Sequence, residues 1–394
     1  MKSSFVTLLC ILVFHSSFVP IDLEGMERYM QVILSLLVLT VLLLRTKLHF
    51  TKQYKSINIF VYLFIFSLLI TSWLSISLDI SKFNNLATNL YSRYYTNRSI
   101  YEGISFALRT LVLFYFIQFI NSINKIEILV RCFFICSLIY VVIQSFLLFF
   151  NGISDDGTGY FLGNKFTVIY FFLLSLLFYK YYLSLSVTFK NKRFLLYLLF
   201  VAIISLIIQC TTGLFACVII LLLHKYKNIF FKYMATPLKI VMLLLICDSF
   251  FFIFSNITNI PLIKFILLEL GEDPTLTGRM VIYSYLYSVL QINPLWGIGI
   301  GNSSSLLLYL FGFHNAQNGA INVIIEQGII GLIFLMLLLI SVIKYARKYV
   351  NSACYYPALS MLIMYIILSS VEITLGSNFV FIMPFLLIKS LSNK

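Results

Sequence analysis

Charge is what this chain has least of. Only 11% of its 394 residues are Asp, Glu, Lys or Arg, while 61% are hydrophobic and the mean hydropathy is +0.99. A water-soluble chain of this length carries far more charge, so a soluble enzyme and a separate soluble domain are both excluded. No tandem repeat, low-complexity tract or interdomain linker divides the sequence, which reads as one integral membrane domain over 1–394. Seven cysteines are present, but no Cys-x-x-Cys pair, and nearly all lie inside apolar runs where they read as small packing residues. The carboxylates expected on the outer side show no metal-ligand spacing, and no serine sits in a nucleophile elbow. Gly297, Gly299 and Gly301 are spaced wrongly for a dinucleotide fingerprint. Neither a metal nor a cofactor is therefore expected. Three Asn-x-Ser/Thr triplets, at Asn97, Asn256 and Asn302, read as chance matches.

What is there is apolar helix. Runs near the roughly 20 residues that cross a bilayer recur along the chain. They predict an all-α polytopic membrane protein with twelve helices, near 4–20, 30–44, 57–78, 101–120, 128–150, 166–187, 194–210, 213–224, 238–254, 319–343, 355–370 and 378–390. The first run follows Lys2 but lacks a small-x-small cleavage site, so it reads as a retained helix rather than a signal peptide. With the N-terminus placed in the cytoplasm, 19 of the 28 Lys and Arg residues fall on the inner side and seven on the outer. This positive-inside bias puts both termini in the cytoplasm. It also turns the net charge of +14 into a topology signal, scattered over short loops and unsuited to nucleic acid.

One outer loop, 255–318, is far longer than the rest, and long loops are usually functional. Residues 261–270 read as a short amphipathic helix, Thr277 as the cap of a helix running to about 291, and 303–312 as another short helix. Pro294 and the glycines that follow break the chain between them. Arg279 presents a permanently charged fork suited to phosphate. Tyr283 and Tyr287 share its helix face and can stack a sugar ring; the plainer reading is an interfacial arginine beside a tyrosine belt. His314 is the one histidine in this loop and can act as a general base, or be a surface histidine and nothing more. Asn318, Asn322 and Glu326 follow at four-residue spacing down one face, preceded by Asn315; they either line a wet cavity or join helices by hydrogen bonds. Gly328 and Gly331 then permit close helix contact. Arg109, a third of the way into the fourth helix, is a functional candidate by its depth, with Glu102 as a partner on the same face. Asp248 and Glu372 are weaker candidates, and Asp155 and Asp156 are possible specificity residues in outer loops.

In the order Gly278-Arg279, Pro294-Leu295-Trp296-Gly297-Ile298-Gly299, His314-Asn315 and Glu326-Gln327-Gly328-Ile329-Ile330-Gly331-Leu332, the loop resembles the O-antigen polymerase and ligase family of the bacterial envelope. The motifs cover about 55 of 394 residues. The resemblance implies a GT-C-like helical bundle and a metal-independent membrane glycosyltransferase working on the outer face of the cytoplasmic membrane. Its donor would be a glycan on undecaprenyl pyrophosphate. Arg279 would hold the pyrophosphate as it leaves, and His314 would activate the acceptor hydroxyl, with Arg109, Tyr283, Tyr287, Gln317, Asn318 and Glu326 binding substrate. The sequence departs from the family pattern in two places. Gln317, not histidine, precedes Asn318, so either His314 serves from a shifted loop or Gln317 takes its place and only orients the hydroxyl. The outer turn Cys210-Thr211-Thr212-Gly213 lacks the arginine that ligases carry there; Arg109, Arg93 or Arg98 can stand in for it.

The reading expected from this resemblance is a repeat-unit polymerase for capsule, exopolysaccharide or O-antigen, associated with a flippase and a chain-length regulator of the same pathway. A ligase passing the glycan to another acceptor is the second reading. A lipid-linked glycan flippase or other transporter is the non-enzymatic rival, though the halves of the chain show no internal symmetry of the kind transporters carry.

Overall fold

Asparagine side chains mark where two helices start. In the computed structural model, Asn164 accepts the Thr167 amide at 2.9 Å and Asn318 accepts the Ile321 amide at 3.0 Å, each satisfying one of the orphan amides of a first turn. The structure describes residues 2–18, 26–46, 54–79, 81–84, 95–152, 159–185, 191–228, 231, 236–253, 261, 286, 289–312, 316–350 and 354–389. Among them the α-helices of six or more residues are α1 (Ser3–Phe18), α2 (Met26–Thr46), α3 (Lys55–Leu74), α4 (Ser99–Ser122), α5 (Ile126–Asn151), α6 (Lys165–Ser184), α7 (Asn191–Ile207), α8 (Thr211–Lys225), α9 (Pro237–Ile253), α10 (Asn302–Phe311), α11 (Gly319–Ala346), α12 (Tyr355–Leu368) and α13 (Ser377–Ile382). The last runs on as a 3₁₀ stretch, Met383–Leu387.

A helix thus stands at each of the twelve apolar runs, and α10 at the short helix expected before His314. The chain is all-helical, with one isolated β-bridge, Tyr160 to Gly163, among the described residues. Among the described residues, five helices, at Lys55–Ser77, Ser99–Ser122, Ile126–Phe150, Lys165–Ser184 and Gly319–Tyr349, are long and apolar enough to cross a membrane. Large apolar side chains point outward from several of them. Phe149 is 82% exposed and Trp73 72% exposed, a surface that water would penalise and lipid would not.

Inside the bundle, aromatic rings fill the space. Phe133 of α5 meets Phe14 and Phe18 of α1, Phe178 of α6 and Phe385 edge to face, with the Phe133 and Phe178 centroids 5.3 Å apart. Buried polar side chains join helices where apolar packing alone sets no register. Asn121 on α4 donates to the Leu387 carbonyl at 2.8 Å and to Tyr54 Oη at 3.2 Å, closing one end of the bundle. Gln118 pairs with Asn58 across α4 and α3 at 2.6 Å, and Ser175 links Ser137 to Tyr197 at 3.0 and 2.9 Å. All seven cysteines are free and at least half-buried, matching their packing role.

Across the opposite end from Asn121 lies a second, smaller core. Phe83, Leu286, Val289, Ile298, Leu306, Leu310, Ala316, Ile321 and Ile325 pack together there, so the described part of the long loop folds onto the start of α11. The end of the helix expected after Thr277 is present at 289–292; its start, and the segment 261–270 beyond residue 261, lie outside the described residues.

Candidate functional site

Pro294 cannot extend the helix that ends at Ile292, and the chain turns there. The four residues that follow run directly beside α11, which is itself broken. Gly328 has φ 68° and ψ −177° in the middle of that helix, a conformation open to glycine and costly to other residues. A broken helix in an apolar bundle exposes carbonyls and amides that need partners. Here the loop supplies four. Ile298 and Gly299 donate to the carbonyls of Ile325 and Glu326 at 2.8 and 2.9 Å, and Ile329 and Ile330 donate to the carbonyls of Pro294 and Leu295 at 2.9 and 3.3 Å. The Pro294–Gly299 and Glu326–Gly331 motifs, far apart in sequence, are one clasp.

The glycines explain how closely the strands of the clasp approach. A Cβ on Gly297 would lie 2.5 Å from the Ile325 carbonyl oxygen, and one on Gly328 would collide with the Leu295 carbonyl. The expectation that Gly328 and Gly331 allow close helix packing is corrected accordingly. Gly328 serves a backbone break, and the nearest atoms to a Cβ on Gly331 belong to Gln327 of its own helix.

Beyond the clasp, Asn302 caps the corner. Its amide donates to Asn97 Oδ1 at 3.0 Å and to the Ile298 carbonyl at 2.9 Å, while its oxygen accepts the Arg98 amide at 3.0 Å. Asn97 in turn donates to the Ser75 carbonyl at 2.9 Å. The ends of α3, α4 and α10 therefore meet at one pair of amides. Sequence reading set both residues aside as chance glycosylation triplets; what marks Asn302 is its place directly after Gly301, the left-handed residue that begins α10. Tyr95, packed against the smaller core just before Asn97, has its phenol pushed up to about 12 by burial.

Glu326 sits behind the clasp, half-buried. Its carboxylate accepts Ser303 Oγ at 2.6 Å and faces the Gly301 amide and the Asn322 side chain. Glu102, in the first turn of α4, lies against Gly301 and close enough for its charge to act on Glu326. Asn322 lies one turn before Glu326 and reaches its carboxylate; Asn318, two turns before it, faces α9. Asn318 is fully buried and spends its side-chain oxygen on capping α11; its amide donates to the Asp248 carbonyl at 3.4 Å. Gln317, just before it, has φ 48°, a left-handed backbone that costs about 1–2 kcal/mol outside glycine. Asp248 itself is buried on α9 beside Ala320 and Ser369, and Glu372 is buried in the turn after α12.

Arg109 occupies a different place. It lies two turns further along α4 than Glu102, about 10 Å by helical rise. Its guanidinium stands 5.1 Å over the Phe381 ring, and its Nε donates to the Ser105 carbonyl at 3.4 Å. It lines a cavity of about 110 Å³ together with Gln31, Thr167, Tyr170, Tyr365 and Asn378. That volume holds a few waters, at roughly 30 Å³ each.

Arg279, Tyr283, Tyr287 and His314 lie outside the described residues, as do Arg93, Asn256, Asp155, Asp156 and Asn315. Among the described residues, no group of three or more His, Cys, Asp or Glu side chains is placed to hold a metal ion. No family model matches the chain, and neither a curated protein nor a solved structure matches it.

Proposed function

We propose that this protein is a polysaccharide repeat-unit polymerase of the bacterial cytoplasmic membrane, acting on its outer face with both termini inside. The observation that carries the reading is the clasp. The two motifs that resemble the O-antigen polymerase and ligase family bind each other through three backbone hydrogen bonds at a broken apolar helix, with a fourth to Ile325 just before the second motif. Irregular backbone at such a place is tolerated only where it is buried or lines a cavity, and a helix that merely crosses a membrane has no use for it. The left-handed Gln317 at the entrance to α11 adds a second strained position next to the same motifs.

In this reading the acceptor sugar hydroxyl attacks the anomeric carbon of the lipid-linked glycan. A new carbon–oxygen bond forms, the bond to the pyrophosphate breaks, and its electron pair leaves with undecaprenyl pyrophosphate. Arg279 offsets the negative charge gathering on that leaving group, and His314 takes the hydroxyl proton, with Gln317 orienting the hydroxyl. Glu326, Tyr283 and Tyr287 line the approach, and Asn318 holds the frame. Arg109 is an additional cation for the pyrophosphate, reached through its polar cavity. No metal takes part. The twelve helices form one bundle, and a flippase and a chain-length regulator are its expected companions.

The experiment is a gel ladder of surface and lipid-linked glycan from cells lacking the gene, beside the parent. Single repeat units in place of a long ladder support the polymerase. Long chains collecting on undecaprenyl pyrophosphate point to the ligase. An unchanged ladder in a working pathway removes both and favours a transporter.

A further inference from the structure

A second cavity, of about 300 Å³, opens at the other end of the bundle, among the helix ends furthest from the clasp. It lies between the end of α6, the start of α7, the end of α8 and the start of α12. Its walls are apolar, from Leu176, Leu177, Ile220, Leu223, Phe231 and Met361, and its size falls at the lower edge of ligand pockets. Two lysines and a histidine line it. Lys180 is buried, with Nζ 4.0 Å over the Phe194 ring and 3.4 Å from His224 Nδ1, and Lys227 stands exposed at the rim.

The sequence around the cavity deepens the asymmetry. From Asp156 to Asp248 the chain carries nine Lys and Arg residues and no acidic residue between them. From Lys344 to Val371, the stretch that supplies Tyr356, Pro357, Ser360 and Met361, there is again no acidic residue. The lining itself contains no carboxylate. An apolar hollow with a cationic mouth complements a molecule with an apolar tail and an anionic head, and basic pockets between membrane helices bind anionic lipid headgroups.

We infer that this cavity is a binding site for an anionic phospholipid, whose phosphate sits among Lys180, His224 and Lys227 and whose acyl chain enters the apolar hollow. Lys180 supplies charge from inside, partly shielded by the Phe194 ring, while Lys227 draws the headgroup in from the rim. Bound lipid would tie α6, α7, α8 and α12 together at this end. The site is independent of the proposed transferase reaction and stands or falls separately.

The test is native mass spectrometry of the full chain released from nanodiscs containing phosphatidylcholine and phosphatidylglycerol, with thermal unfolding in the same discs. Retained phosphatidylglycerol, and a higher unfolding temperature than in phosphatidylcholine alone, are expected. Lys180→Met combined with Lys227→Gln should weaken retention about fivefold for each cation lost. Lys192→Gln, an exposed cation outside the lining, should leave it unchanged. If Lys180→Met does not fold, Lys227→Gln and His224→Gln at the mouth carry the comparison. Equal retention of both lipids, undiminished retention in the variants, or an equal loss in Lys192→Gln would overturn the site. Stabilisation by inorganic phosphate as large as that by phosphatidylglycerol would make it a small-anion site and overturn the lipid assignment.

Discussion

Ile298 donates its amide to the carbonyl of Ile325 at 2.8 Å, across a gap of more than twenty residues in sequence. That bond is the first rung of the clasp and sets the rest. Gly299 follows to Glu326, and beyond the break the direction reverses, with Ile329 and Ile330 donating back to Pro294 and Leu295. The helix gives up its own ladder for one turn and recovers the same bonds from a loop. Since each unpaired backbone group in an apolar setting costs several kcal/mol, neither motif is stable there without the other.

Substituting the clasp glycines therefore damages the fold locally and strongly. Gly328→Ala forces a Cβ into a left-handed backbone and into the Leu295 carbonyl, and Gly297→Ala presses on the Ile325 carbonyl. Each should cost about 1–3 kcal/mol from backbone strain alone, and more once the rungs are pushed apart. Ser304→Ala, at an exposed position on α10, is the control. Thermal unfolding in detergent should show large drops for the first two and little change for the third.

The fold was largely legible because apolar periodicity is strong when nearly every long run must be a helix. The twelve runs each carry one, to within a few residues at most ends, and the turn at Cys210 closes as expected, with its amide on the Ser205 carbonyl at 2.8 Å. The site was legible only as a list. Spacing put Asn318, Asn322 and Glu326 on one face, but it gave no sign that Gly328 breaks that face, because a glycine in an apolar run reads equally as helix contact. Nor did it separate the roles of Asn318 and Gln317. A cap and a left-handed residue look alike in sequence, and only the backbone angles distinguish them. Asn97 and Asn302 were missed because their partnership spans some two hundred residues, which no local pattern records.

Asn302→Ala should unfold at a markedly lower temperature than the parent. Its removal strands the Arg98 amide and the Ile298 carbonyl, which Asn302 satisfies now. Each buried group left unpaired costs about 1–3 kcal/mol. Asn302→Asp restores the acceptor for Arg98 but turns a donor into an acceptor facing Asn97 Oδ1 and the Ile298 carbonyl. It should therefore not recover the parent stability. Ser304→Ala, at an exposed neighbouring position, should be silent in the same assay.

The loop cations are predicted to separate by chemistry. Arg279→Ala should collapse the glycan ladder to single repeats while the protein reaches the membrane in normal amount, and Arg279→Lys should recover part of it, since a point charge replaces a fork. If His314 is the base, His314→Ala should slow chain growth about 10²- to 10⁴-fold, whereas Gln317→Ala should have a small effect. The reverse ranking would move the hydroxyl-orienting role to Gln317 and leave His314 without one. Pulse labelling of lipid-linked glycan in cells carrying each variant gives the comparison.

Glu326 offers the sharpest separation of structure from chemistry. Its carboxylate accepts Ser303 Oγ at 2.6 Å and lies within the field of Glu102. Glu326→Gln keeps an oxygen for Ser303 and removes the like-charge repulsion, so the variant should unfold close to the parent temperature. Glu326→Ala leaves the Ser303 hydroxyl and the Gly301 amide without that acceptor, and should lose about 1–3 kcal/mol. Ladder length then decides what the charge is for. A Glu326→Gln protein that folds and still makes long chains confines Glu326 to holding the clasp. One that folds equally well and makes only single repeats shows that the reaction needs the carboxyl group itself, which would place the acceptor sugar beside Ser303 at the start of α10.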